Sequence, residues 1–311
     1  MPKITGAQAL VRQLRSEGVE AVFALPGVQI MDAFDALYEL QNDIRLVQTR
    51  HEQATTYMAD GYAKVSGKVG VAMVVPGPGA LNAAAGLGTA YASSSPVLLI
   101  SGQIHSAALG KRQGQLHEVE EQLDVFKPIT KWNHRILHVG EIPEAVHEAF
   151  RQLKTGRPRP VELEIPPDTL GATGDADIIE PDEYPRETGN TVDIQRAAQV
   201  LTRSKRPAII AGGGTITSGA SCELRELAEF LQAAVTTTQQ GKGGLSEDHE
   251  LAVGVNYASV NAASIVFPEA DAILAVGTRL LFRDYQPEDL PPLIQIDVDE
   301  AEIGKLVPAE V

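Results

Sequence analysis

The chain has a single cysteine, Cys222, so it forms no internal disulfide and no cysteine-built metal cluster. That scarcity fits a reducing compartment. Basic residues are also in deficit. Lys and Arg total 26 against 41 Asp and Glu, for a formal net charge of −15 and a pI near 4.9. Phosphate binding needs clustered positive charge, so nucleic acid is not expected as a partner. No apolar run approaches the length of a membrane span, and residues Met1 to Gly6 have no signal-peptide layout. A cytoplasmic protein with no membrane partner is expected. The Walker pattern is absent, because Gly241-Lys242-Gly243 lacks its context. Neither H-E-x-x-H nor G-x-S-x-G occurs, and the seven histidines show no metal-ligand spacing. No metal site is expected in the chain.

What is present reads as α/β. A length of 311 residues gives two domains as the natural prior, and 43% hydrophobic with 22% charged residues is ordinary globular composition. Thr5 can cap a helix beginning near Gly6, and Gly18 can end it. Short apolar strands are expected at Ala21 to Leu25, Ile44 to Gln48, Val69 to Val75 and Val97 to Gly102. Helices are expected from Met31 to Leu40 and from Ile142 to Leu153, and an alternating strand from Val161 to Ile165. Pro166 to about Asn190 has no period and reads as a linker. A second set of strands follows, at Ala208 to Ala211, Ala234 to Thr238, Ala272 to Val276 and Leu293 to Asp297. Alternating strands and helices predict two doubly wound, mostly parallel sheets with helices on both faces. The expected domains are residues 1–166 and 191–311, joined by a linker at 167–190.

The chemistry-bearing stretch is Arg50-His51-Glu52-Gln53. It places one carboxylate after an apolar run read as a buried strand, at the opening of a helix of small residues. In open α/β sheets, ligands collect beyond the carboxyl ends of the strands. Pro26-Gly27-Val28 and Gly77-Pro78-Gly79 follow neighbouring strands, so three loops can converge on one crevice. The helix after Gly79 is rich in Ala and Gly, which serves either close approach of a ligand or tight helix packing. Gly212-Gly213-Gly214 also follows a strand, but Thr217 stands where the dinucleotide fingerprint needs its last glycine. Most such turns only reverse the chain.

These motifs, in this order and spacing, resemble the acetolactate synthase-like family of thiamine diphosphate (ThDP) enzymes. The matching runs are Leu25-Pro26-Gly27, Arg50-His51-Glu52-Gln53, Met58 to Ala63, Gly67-Lys68-Val69-Gly70, Gly77 to Asn82, Ser101-Gly102-Gln103 and Pro128 to Trp132. Arg206 to Gly214, Gly241-Lys242-Gly243 and Ile294 to Asp299 resemble the family's Rossmann-like central domain. The resemblance implies that Glu52 hydrogen-bonds N1′ of the ThDP aminopyrimidine and so promotes loss of the thiazolium C2 proton. The bound cofactor then serves decarboxylation or carboligation of a 2-oxo acid. Pro26, Gly27, Val28, Gly77, Pro78 and Asn82 are the implied pyrimidine-pocket residues. Gln115 is the candidate for the polar group that meets the substrate carbonyl, with His117 and Glu118 as rivals. Acetolactate synthases proper carry a phenylalanine-glutamine-glutamate run hereabouts, whereas this chain has Gln115-Leu116-His117-Glu118, and Pro76 where serine is expected.

The family's diphosphate is held with Mg²⁺ by a glycine-aspartate-glycine motif on a third domain, and Gly174-Asp175-Ala176 does not complete that motif. The Mg²⁺ ligands are therefore expected outside this chain, on a separate chain if need be, and these residues alone are expected to be inactive. In this family one subunit's glutamate serves a cofactor held by the other, so a homodimer is expected. Phe282-Arg283 departs from the acidic residues of FAD-binding relatives, which disfavours FAD. Two other readings stay open: a non-catalytic regulatory subunit of the same fold, and an FAD- or NAD-binding oxidoreductase built on the glycine turn.

Overall fold

The computed structural model describes residues 3–255, 263–280 and 290–311. Phe282 and Arg283 lie outside the described residues. The chain divides into two compact units, Met1–Pro185 and Arg186–Val311.

The first unit runs β1 (Ile4–Thr5), α1 (Gly6–Ser16), β2 (Ala21–Ala24), α2 (Met31–Glu39), β3 (Arg45–Gln48), α3 (Glu52–Ser66), β4 (Gly70–Val74) and α4 (Pro78–Ser93). It continues with β5 (Val97–Gly102), α5 (Gln122–Phe126), β6 (Trp132–Arg135), α6 (Ile142–Lys154), β7 (Val161–Ile165), α7 (Pro167–Gly171) and β8 (Thr173–Gly174). Strands β2 to β7 form one parallel sheet in the order β3-β2-β4-β5-β7-β6. Successive strand residues point to opposite faces. Val22, Met73, Leu98 and Leu163 meet Leu10, Leu14, Val146 and Phe150 of α1 and α6 on one face. Phe23, Ala72, Val74 and Leu99 meet Ala59, Ala80, Ala83 and Leu87 of α3 and α4 on the other. Both faces are covered, which is why β2 and β4 are apolar throughout.

Local signals account for the helix ends. Thr5 and Gln8 form a reciprocal capping box at α1, and Gly18 beyond it has φ +84°. Gly67 closes α3 at φ +71°. The small residues of α4 serve helix packing: a Cβ on Gly86 would lie 2.3 Å from Thr56 Oγ1 of α3.

Two expectations change. Strand β3 is an edge strand, with Arg45, Leu46 and Gln48 exposed, rather than a buried one. The stretch expected as linker is partly folded onto the first unit. It contains α7, and β8 pairs antiparallel with β1. Farther on, the Ile179 carbonyl accepts hydrogen bonds from Gln13 and Ser16. His147 then bridges Glu17 (2.8 Å) and Asp182 (3.2 Å). Burial opposes the charge on His147, but the two carboxylates overcome it and hold the imidazole above its ordinary pKa.

The second unit comprises α8 (Thr191–Arg203), β9 (Pro207–Ala211), α9 (Gly213–Thr217), α10 (Ser221–Leu231), β10 (Ala234–Thr237), β11 (Ala252–Val255), α11 (Ala263–Val266), β12 (Ala272–Val276) and β13 (Leu293–Ile296). Its parallel sheet has the order β11-β10-β9-β12-β13, where β11 is a strand that the apolar pattern alone did not reveal. The triple glycine sits at the point where the winding reverses, between β9 and β12. There it packs against chain. A Cβ on Gly212 would lie 2.2 Å from the Gly277 carbonyl oxygen, and the Gly212 N–H donates to the Val276 carbonyl at 2.8 Å.

Candidate active site

In the first unit the winding reverses between β2 and β4, because β3 lies on one side of β2 and β4 on the other. This is where a crevice opens beyond the strand ends. Three loops meet there around Val75. A Cβ on Gly27, after β2, would lie 2.3 Å from Val75 Cγ1, and one on Gly79 would lie 2.6 Å from Val75 Cγ2. The Gly79 position is also 3.6 Å from Glu52 Cγ and Oε1. A Cβ at Gly79 would thus be in ordinary contact with the carboxylate, and the neighbour it would displace is Val75.

Glu52 is the first residue of α3, and the His51 ring caps that helix by accepting from the Gln53 N–H at 3.1 Å. The side chain is half-buried. Asn82 Nδ2, one turn into α4, donates to Glu52 Oε2 at 3.0 Å. Among the described residues this is the one hydrogen bond to the carboxylate, so Oε1 keeps its lone pairs for a further donor. Pro26, Val28 and Pro78 are exposed on the same loops, with Val28 at 67%.

The polar segment before β6 also reaches this place. Gly77 has φ +59°, and a Cβ on it would lie 2.4 Å from the His117 carbonyl oxygen. His117 itself has φ +69°, and its Nδ1 is buried with no hydrogen-bond partner among the described residues. Gln29 fastens the segment by donating to the Leu116 carbonyl at 3.2 Å. Gln115 is exposed, and its backbone N–H donates to Glu118 Oε2 at 2.8 Å. The structure therefore brings His117, not Gln115, against the Gly77 turn.

Beneath the turn lies a polar network that the residue pattern did not reveal. Val161 to Ile165 alternates, but β7 lies between β5 and β6 and both its faces are buried, so Glu162 and Glu164 are fully enclosed. Ser101 Oγ donates to Glu162 Oε1 at 2.6 Å, and Arg135 Nε forms a tight ion pair with Glu164. The signal was available: glutamates alternating in a strand covered on both faces have no solvent to meet.

Burial, and then the neighbouring Glu164, push Glu162 well above the usual carboxylate range. The folded chain holds a proton there that the unfolded chain releases near 4.5. Stability from this group is full below that value and is lost as pH rises toward the folded pKa. Glu162→Gln removes the penalty. The variant's unfolding free energy should fall less steeply with rising pH, by up to about 1.4 kcal/mol per pH unit. Urea melts across the acid-to-neutral range measure the two slopes. Identical slopes would show that Glu162 titrates in the fold as it does unfolded.

Among the described residues no group of His, Cys, Asp and Glu is placed to hold a metal ion, and no helix is long and apolar enough to cross a membrane. Comparison with known proteins adds the decisive observation. Residues 4–126 match the thiamine pyrophosphate enzyme N-terminal TPP binding domain, and residues 194–311 match the thiamine pyrophosphate enzyme central domain. The chain belongs to the thiamine pyrophosphate enzyme family. It is 41% identical over 320 residues to a probable acetolactate synthase large subunit of Methanocaldococcus jannaschii, covering 98% of this chain and 53% of that protein. It is 39% identical over 315 residues to a probable 2-ketoarginine decarboxylase of Pseudomonas aeruginosa, covering 99% and 55% respectively. Acetolactate synthase isozyme 3 large subunit of Escherichia coli is 34% identical over 324 residues, at 100% and 55% coverage. The chain thus spans about half the length of the curated relatives it matches.

The site fits the aminopyrimidine of ThDP. The ring nitrogen at the edge of an aminopyrimidine needs a carboxyl oxygen to meet, and Glu52 Oε1 offers one near apolar Val75.

Proposed function

We propose that this chain supplies the aminopyrimidine-binding part of a ThDP-dependent enzyme that decarboxylates or ligates a 2-oxo acid. The observation that carries the reading is Glu52: one carboxylate oxygen tied to Asn82, the other open, at the meeting of three loops. Bound ThDP supplies an electron sink for the carbon–carbon bond that breaks. This chain's part is to hold and exchange the proton at the aminopyrimidine. Asn82 fixes the carboxylate, which lies beside Gly79 in the first turn of α4. Pro26, Gly27, Val28, Gly77 and Pro78 hold the ring and limit water around it. His117 is better placed than Gln115 to reach a bound substrate, because its backbone abuts Gly77. The names of the relatives, an acetolactate synthase and a 2-ketoarginine decarboxylase, support a 2-oxo acid as substrate.

The groups that hold Mg²⁺ and the diphosphate are placed in the part of the curated relatives that this chain does not span. A dimer is supported by the exposed apolar side chains Tyr57, Met58 and Leu81 close to Glu52. An open groove of about 480 Å³ lies along α3, lined by His51, Gln53, Ala54, Tyr57 and Met58.

The test combines the chain with a diphosphate-binding domain, ThDP and Mg²⁺, and measures CO₂ release from a panel of 2-oxo acids that includes pyruvate. Release that depends on both ThDP and Glu52 is expected. An assembly that binds ThDP yet releases CO₂ from none of them contradicts the reading.

A further inference from the structure

We infer that Gln122 is a positioning residue for the Glu52 site: its side-chain amide sets the Gly77 turn, and through it the first turn of α4 against which Glu52 rests. The inference builds on the ThDP reading of Glu52 given above.

Gln122 opens α5 and is 1% exposed. Its Oε1 accepts from the Gly77 N–H at 2.8 Å. Its Nε2 lies 3.1 Å from each of three acceptors, Ser101 Oγ, the Gly102 carbonyl and Glu164 Oε2, which share its two N–H donors. An amide accepts from a backbone N–H and donates to a carboxylate from one planar group at every pH, whereas a carboxyl does so only while it is protonated. The anchors are themselves fixed, Glu164 by Arg135 and Ser101 by Glu162.

Gly77 has no slack. It is buried, with φ +59° and ψ −118°, wedged between the His117 backbone and the Gln122 amide. Glycine adopts this backbone readily, but a side chain there would meet the His117 carbonyl at 2.4 Å, so the turn stays a glycine held by its neighbours. Gly77 is the N-cap of α4, two residues before Gly79, which underlies Glu52, and five before Asn82, which holds it. A shift of the turn is therefore carried to both supports of the catalytic carboxylate. A purely structural glutamine would brace β5 and β7 without bearing on the turn.

The test uses the full chain and the assembled holoenzyme. Gln122→Met keeps the volume and removes every hydrogen bond. Amide exchange at Gly77, read by NMR, should speed up roughly tenfold to a hundredfold, as expected for a lost buried hydrogen bond. Exchange in β4 and β5 should stay as in the wild type. Turnover of the holoenzyme should fall while KM for the 2-oxo acid holds. Gln122→Glu keeps the acceptor but must stay protonated. It faces Glu162 and Glu164 on β7, Arg135 on β6 and Glu121 beside it. Its Gly77 protection and turnover should approach wild type at low pH and fall as pH rises, more steeply than in the wild type. If Gln122→Met does not fold, this pH dependence carries the test. Unchanged Gly77 exchange in the folded variants, or faster exchange with wild-type turnover, overturns the inference. A wild-type holoenzyme without ThDP-dependent turnover overturns the reading of Glu52 instead, and Gly77 exchange still reports whether Gln122 holds the turn.

Discussion

Glu52→Gln should lower turnover of the assembled enzyme by about 10²–10⁴-fold, the usual contribution of a positioned acid–base group. The amide fills the same volume and can still meet Asn82, so the melting temperature should change little. What is lost is the capacity to share a proton at the open oxygen, Oε1. Because Glu52 is proposed to meet the aminopyrimidine and not the 2-oxo acid, KM should change far less than kcat. Steady-state kinetics with a saturating 2-oxo acid separates the two effects. Turnover within a few-fold of wild type would remove Glu52 from the chemistry.

Arg135→Met should destabilise the first unit by about 3–5 kcal/mol, the range found when one partner of a buried ion pair is removed. Glu164 is fully enclosed, and Arg135 Nε is its charged partner. Gln122 still donates to Glu164 in the variant, but an amide cannot neutralise a carboxylate. The loss should be read from urea-induced unfolding at neutral pH. A loss below about 1 kcal/mol, the scale of an exposed pair, would mean that Arg135 mainly serves the exposed Glu121, 3.6 Å away.

The residue pattern exposed the parts of this molecule that depend on local chemistry. Thr5 and Gly18 mark the ends of α1 because capping and a left-handed backbone need those residue types. Strands β2 and β4 are apolar because both faces of the sheet are covered, and Glu52 stood out as a carboxylate at a strand-to-helix junction. What stayed hidden depends on sheet order, which periodicity does not encode. The edge position of β3 follows from the winding order alone. The alternation at Val161 to Ile165 does not tell that Glu162 and Glu164 are enclosed, which follows only once β6 is placed beside β7. Gln122 lies in an irregular polar segment, and its role appears only when β5, β7 and the Gly77 turn converge on it. At the triple glycine 212–214, close approach of chain to chain leaves the same residues as close approach to a ligand, so the pattern alone does not separate the two.

The central claim is that Glu52 governs proton loss from bound ThDP. The direct measurement is deuterium exchange at the thiazolium C2 of ThDP bound to the holoenzyme, comparing wild type with Glu52→Gln at equal occupancy. The account predicts exchange slower by about two to four powers of ten in the variant. Equal exchange rates would contradict it, and would place the activating group on another residue.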